Sequence, residues 1–265
     1  KVWHHTLKKN FWKCLKNDSL YDIYKDSAIL NLFYDSKGNM WFNPPSQFQK
    51  VADVFKVTKD TAFIYNKIFV KEYSDYSDIY PNGINLYNTI STIKEDNNGD
   101  IWMFLHTRVK IKDSVYLKEH QILCKYINDR FESVFISTNW YEFASKCNFV
   151  FDNLNRVWVV NGDTCYIINN GAVEKKFSSY DFEQGYGQFS ELVIDSKNNF
   201  YATNADLLLF KYDGEKFTTD KYVQNIERYI SKGDALQLYW LRRDSSDNIW
   251  LTGLLSNYIY KLDTN

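Results

Sequence analysis

An all-β chain of repeated antiparallel sheets is what this sequence predicts, and three observations carry the prediction. Its 265 residues include 8 Trp, 21 Tyr and 19 Phe against 10 Gly, 3 Pro and 2 Met, a balance that suits pleated surfaces faced with aromatic and β-branched side chains. A short acidic turn leading into an aromatic residue recurs five times: DSKGNMW at 35–41, DNNGDIW at 96–102, DNLNRVW at 152–158, DSKNNFY at 195–201 and DSSDNIW at 244–250. Apolar or alternating runs flank the copies, as strands on either side of a hairpin corner do.

The repeat unit justifies each element in turn. Asp and aromatic are six positions apart in every copy, and successive Asp residues are 61, 56, 43 and 49 apart. One four-stranded propeller blade takes roughly 40–50 residues, so the two long units predict insertions. The fourth position reads Gly38, Gly99, Asn155, Asn198 and Asp247, the residue types that best tolerate a left-handed backbone, and the leading Asp can accept bonds from amides of its own turn. Runs such as ILNLFYD, FVFDN and LVIDS before the corner, and MWFN, IWMFL, VWVV, FYAT and IWLTG after it, read as the first and second strands. LCKYIND, CYIINNG, LLLFKYDG and YIYKLD read as third strands, and RFESVFI, VEKKF and EKFTT as fourth.

Four strands per repeat make a blade. The expected fold is therefore a β-propeller of four-stranded antiparallel blades, a single domain over residues 1–265, with five blades from five corners. The repeat residues Asp35 and Trp41, Asp96 and Trp102, Asp152 and Trp158, Asp195 and Tyr201, and Asp244 and Trp250 are assigned structural work. The Asp holds the turn and the aromatic fills the space between neighbouring blades; an aromatic binding ring is the alternative. Because the chain ends in YIYKLDTN, a third strand, the N-terminal VWHHTLKKNFWKCL is expected to complete the last blade and close the ring, hiding two sheet edges. A sixth blade stays open if that N-terminal pair belongs elsewhere.

A strand, then D-x-x-G-x-x-W, then a small-residue turn and a strand ending in Y-D or L-D resembles the two-component regulator propeller repeat of bacterial sensor ectodomains, over about residues 28–263. The glycine-rich turn after the Trp strand survives in part, as TGLLSN at 252–257, NGDT at 161–164 and TNAD at 203–206. The sialidase Asp box differs, since its aromatic follows one position sooner. The resemblance implies an exported module of the bacterial envelope, whether periplasmic, outer-membrane-associated or secreted.

Charge and hydropathy remove several function classes. With 32 basic and 33 acidic side chains the net charge is -1, which gives no footprint for nucleic acid or anionic membrane. No run approaches the roughly 18 apolar residues of a membrane span, so no membrane insertion of this chain is expected. The start KVWHHTLKKN lacks the apolar core of a signal peptide, and beginning at Lys1 is what a processed product would show.

Recognition is expected on the loops that depart from the repeat: 71–88, 137–143, 178–189 and 219–235, all rich in Tyr, Trp, Asn and acidic residues. They belong to the side of the blades away from the acidic corners. Tyr76, Tyr80, Trp140, Tyr180 and Tyr186 are the candidate ligand-binding residues, for a glycan or a protein partner, because aromatic faces stack while neighbouring amides and carboxylates set orientation. Loops that merely cap the blades are the alternative. No cofactor is expected.

Catalytic and metal signals are thin. His4 and His5 are adjacent, His106 and His120 isolated, and DYSD at 75–78 supplies two carboxylates where calcium needs six to eight oxygens, on the order of a full loop of ligands. The expectation is no catalytic and no metal-binding residue. The competing class is a carbohydrate-active enzyme drawing on Glu95, Glu142, Asp181, Glu183 and Glu191 at a propeller funnel. Cys14, Cys124, Cys147 and Cys165 would pair as disulfides after export or remain buried thiols otherwise.

Overall fold

The computed structural model describes residues 30–43, 54–65, 67–69, 84–85, 89–110, 117–137, 148–181, 189–204, 209–219, 238–253 and 259–262. Five sheets follow one another along the chain, and they fall into two compact units, Lys1–Thr138 and Asn139–Asn265.

The first unit holds two sheets. Sheet 1 is a meander of β1 (Leu30–Tyr34), β2 (Met40–Asn43), β3 (Val54–Val57) and β4 (Ala62–Tyr65). Next along the chain come β5 (Lys67–Phe69), β6 (Ile84–Asn85), β7 (Thr89–Glu95), β8 (Ile101–Lys110), β9 (Leu117–Ile127) and β10 (Arg130–Ser137). Sheet 2 is the meander β7-β8-β9-β10 with two additions: β5 joins β10 in parallel, Ile68 opposite Phe131, and β6 pairs antiparallel with β5. Part of the expected 71–88 loop is therefore strand. The short strands KIF and IN form a two-stranded arm on the outer edge of sheet 2, an edge that would otherwise stand open.

The second unit holds three sheets. Sheet 3 contains β11 (Asn148–Phe151), β12 (Val157–Asn161), β13 (Thr164–Asn169) and β14 (Ala172–Ser178), followed by a 3-10 turn at Ser179–Asp181. Sheet 4 contains β15 (Phe189–Ile194), β16 (Phe200–Asn204), β17 (Leu209–Tyr212) and β18 (Phe217–Thr219). Sheet 5 contains β19 (Leu238–Arg243), β20 (Ile249–Gly253) and β21 (Ile259–Leu262), three strands among the described residues. The N-terminal strand expected to complete it lies outside the described residues.

Burial explains the spelling of the strands. β12 is buried throughout, which is why VWVVN reads as a continuous apolar run rather than an alternation. β14 is the outer strand of its sheet, and its first five residues, AVEKK, are all exposed. Between sheets 1 and 2 the core contains Trp41, Val54, Ile90, Met103 and Phe131. Between sheets 3 and 4, the Trp158 ring stacks on Phe200 at 3.5 Å between centroids. Between sheets 4 and 5, Tyr201 joins Leu241, Ile249 and Leu251.

Candidate functional site

Each corner is organised by its leading carboxylate. The Lys37 and Asn39 N–H groups donate to Asp35 Oδ1 (3.0 and 2.7 Å), while Asn39 Nδ2 and Trp41 Nε1 donate to Oδ2 (both 2.9 Å). The same indole bond joins Trp102 to Asp96 at 2.8 Å, Trp158 to Asp152 at 3.2 Å and Trp250 to Asp244 at 2.7 Å. In sheet 4 the aromatic is Tyr201, which has no indole N–H; Asn199 donates to both Asp195 oxygens at 2.7 Å each, as Asn39 does to Asp35. The fourth position is left-handed in all five corners, with φ of 77° at Gly38, 81° at Gly99, 60° at Asn155, 67° at Asn198 and 66° at Asp247.

These bonds set the charge state of the corners. Burial pushes the Asp35 carboxyl up, but the bonds from Trp41, Asn39 and the turn amides outweigh it and hold the group below the usual range. Bonds from Trp250, then from Asn248, bring Asp244 to about 2. Neighbouring corners are also tied to each other. Ser36 donates from its amide and its hydroxyl to Glu95 (2.7 and 2.6 Å). The Asn153 amide donates to Asn198 Oδ1 at 3.0 Å, and Ser196 donates through amide and hydroxyl to Asp247.

A repeat feature escaped the sequence reading. Lys56, Lys125, Lys211 and Lys261 stand on third strands directly opposite Trp41, Trp102, Tyr201 and Trp250. The first three ammonium groups lie 5.3, 5.2 and 5.6 Å from the ring centroids, within cation–π range. In sheet 3 the residue opposite Trp158 is Ile167, and Lys175 of β14 lies 5.0 Å from Phe177 instead. The signal was present as F-K-V, C-K-Y, F-K-Y and Y-K-L, but the Lys follows its aromatic by 15, 23, 10 and 11 positions, so no fixed spacing exposes it.

At the other end of sheet 3, the turn Gly162–Asp163 anchors the 178–189 segment. The Ser179 N–H donates to the Asp163 carbonyl at 2.7 Å and the Phe189 N–H to the Gly162 carbonyl at 2.8 Å. Both bases of the intervening segment are thus fixed to one turn. Tyr180 sits on the 3-10 turn there, 59 % exposed, at the strand end opposite the Asp152 corner. Tyr76, Tyr80, Trp140 and Tyr186 lie outside the described residues. Two polar side chains at the same turn are buried with atoms that have no partner among the described residues: both amide atoms of Asn161 and the Ser179 hydroxyl.

The carboxylates considered for catalysis are engaged or undescribed. Glu95 receives Ser36 at a corner. Glu191 is buried on β15, where Asn148 Nδ2 of β11 donates to Oε2 at 2.7 Å and Arg242 Nη1 of β19 at 3.0 Å. Asp181 contributes its backbone to the 3-10 turn, and Glu142 and Glu183 lie outside the described residues. Cys124 and Cys165 are free, buried thiols whose pKa burial raises; Cys14 and Cys147 are not described. Among the described residues no helix is long and apolar enough to cross a membrane.

No known family profile matches the sequence, and no curated protein matches it. Solved structures do. Virginiamycin B lyase from Staphylococcus aureus, in a catalytically inactive form with quinupristin, superposes with a TM-score of 0.56 at 12% identity, covering 91% of this chain and 68% of that one. The extracellular domain of a protein assigned as a hybrid two-component system from B. thetaiotaomicron gives 0.54 at 14% identity, over 90% of this chain. YCF48 bound to D1 peptide gives 0.54 at 12% identity, also over 90%. The chain spans 31% of the length of the second of these and 64% of the third. At such identities the likeness speaks to architecture alone: the chain folds as a β-propeller of antiparallel blades.

Proposed function

We propose that this chain is a non-catalytic recognition propeller of the bacterial cell envelope, of the two-component regulator kind, which binds a glycan or protein partner through the aromatic-rich loops opposite the acidic corners. The observation that carries the reading is Tyr180. A large aromatic ring is 59 % exposed on a segment whose two bases are hydrogen-bonded to one turn, and a rigidly mounted, reachable ring is what stacking recognition requires. The five sheets together would serve as a single domain that carries those loops.

Two likenesses support the setting. One structural neighbour is the extracellular domain of a hybrid two-component system and another was solved with a bound peptide, so a periplasmic, outer-membrane-associated or secreted position and a macromolecular ligand both suit this fold. The enzyme reading is weaker, because both described candidate carboxylates with visible side chains, Glu95 and Glu191, are held by partners within the chain.

Glycan and peptide arrays probed with the purified chain, followed by retesting of the strongest hit with Tyr180→Ala and Trp140→Ala, examine the proposal. Each variant should lose about 1 kcal/mol or more of binding, the scale at which interface aromatics register, with the melting temperature unchanged. Variants that melt earlier yet bind in proportion to their folded fraction would make these loops structural caps.

A further inference from the structure

Four arginines have described side chains, and three of them direct Nε–H at a carboxylate of this chain: Arg130 at Glu132 (2.8 Å), Arg156 at Asp152 (2.7 Å) and Arg243 at Asp247 (2.6 Å). Arg242 differs. Both of its bonds leave from Nη1, one to Glu191 Oε2 at 3.0 Å and one to the Leu241 carbonyl at 2.9 Å. An Nη nitrogen carries two N–H groups, so Nη1 is fully used. The opposite edge of the guanidinium, Nε with Nη2, has no partner among the described residues, and the side chain is 62 % exposed. That edge is the one on which a carboxylate seats side-on, through two parallel N–H···O bonds.

The anchor beneath it is unusually firm. Glu191 is 5 % exposed and also receives Asn148 Nδ2 at 2.7 Å, so the guanidinium is pinned to a buried carboxylate that links the first strands of three successive sheets. Pinning removes much of the side-chain freedom that a surface arginine would lose on binding. Glu191 also balances the guanidinium charge, so the free edge selects by the direction of its N–H groups rather than by net charge.

We propose that the Nε–Nη2 edge of Arg242 is a docking point for a ligand carboxylate. A carboxylate of this kind is available from an amino-acid side chain or from a uronic acid, and the two sources can be separated.

The test follows the arginine Nε–Hε signals of the whole chain by NMR during titration with N-acetylglutamate methylamide and with methyl galacturonoside, each beside its uncharged carboxamide. The Arg242 signal, assigned by its loss in Arg242→Lys, should shift saturably with a carboxylate and stay still with the carboxamide. Signals of Arg130, Arg156 and Arg243, whose Nε is already engaged, should stay still throughout. Titrated by calorimetry with the stronger probe, Arg242→Lys should bind about tenfold more weakly than the parent, because an ammonium offers no fork. Glu191→Gln, which keeps the arginine but loosens its anchor, should weaken binding about threefold. The stronger of the two probes names the source. Equal response of Arg130, Arg156, Arg242 and Arg243, an equal response to the carboxamides, equal affinity for sulfate, or no Arg242 shift with either probe overturns the proposal.

Discussion

Removing the Asp35 carboxylate tests the physical core of the repeat. In Asp35→Ala the Trp41 indole, 1 % exposed, keeps an N–H with no acceptor. An orphaned buried donor costs about 1–3 kcal/mol. The Lys37 and Asn39 amides and the Asn39 side chain also lose a charged acceptor, but residues 36–38 are exposed and water can replace it, so about 0.5–1 kcal/mol in all is reasonable there. The sum is about 1.5–4 kcal/mol. Asp35→Asn should cost nearly as much, since its new amide would point N–H groups at donors whichever way it is turned. In a Trp41→Phe background the indole donor is gone, so Asp35→Ala should cost about 1–2 kcal/mol less than in the parent. Urea unfolding of the four proteins gives this coupling directly. A coupling under about 0.5 kcal/mol, with additive single effects, would show that the indole–carboxylate bond contributes nothing specific and that the Asp acts only on its turn.

Three further outcomes follow from the corners. Gly38 has φ of 77° and nothing within 4 Å of the position a Cβ would take, so the strain is purely backbone: Gly38→Val should cost about 1–3 kcal/mol in thermal melts while Gly38→Asn, the residue found at Asn155 and Asn198, stays near neutral. Asp244 is held at about 2 in the folded chain, below the unfolded value of about 3.9; its contribution is complete above the unfolded pKa and is lost as pH falls through the folded one. Melting temperatures measured from pH 5 down to 2 should therefore fall less steeply for Asp244→Asn than for the parent, and parallel curves would contradict the assignment. Lys56 lies within 6 Å of the Trp41, Phe63 and Tyr126 rings, at 5.3, 5.8 and 5.0 Å, so Lys56→Met should cost about 1 kcal/mol where Lys59→Met, on the exposed turn, costs none.

What could be read in the sequence was whatever repeats at a constant distance. Asp and aromatic are six apart because a single turn separates them, and turn chemistry is local: a left-handed fourth residue and a carboxylate over its own amides are spelled by adjacent letters. Strands β9, β10, β13, β14, β17 and β18 were legible for the same reason, being separated by short turns such as Asn128–Asp129 and Asn170–Gly171. In the first unit β3 and β4 went unread, because Val54–Val57 follows a longer connection and is only four residues long. The Lys–aromatic pairing was hidden because sheet register, not sequence distance, creates it. The Asn148–Glu191–Arg242 link was hidden more deeply, as its members come from three different sheets and only Glu191 had drawn notice, as a candidate acid. The aromatic loops are the reverse case: composition marks them, while their geometry depends on contacts that no local rule encodes.

The bonds between corners bear on how this molecule can change over evolutionary time. Ser36 reaches Glu95, Asn153 reaches Asn198 and Ser196 reaches Asp247, each through a backbone amide as well as, in the serines, a hydroxyl. An inserted residue in any of these corners would displace a donor needed by the adjacent hairpin as well as its own carboxylate bonds, so a length change there damages two blades at once. At the opposite strand ends the unit length ranges from 43 to 61 residues, and the inter-sheet bond described there, Phe189 N–H to the Gly162 carbonyl, leaves from the base of a loop rather than from within a hairpin corner. Growth by insertion is thereby channelled to one side of each sheet, away from corners whose length is fixed by two hairpins at once.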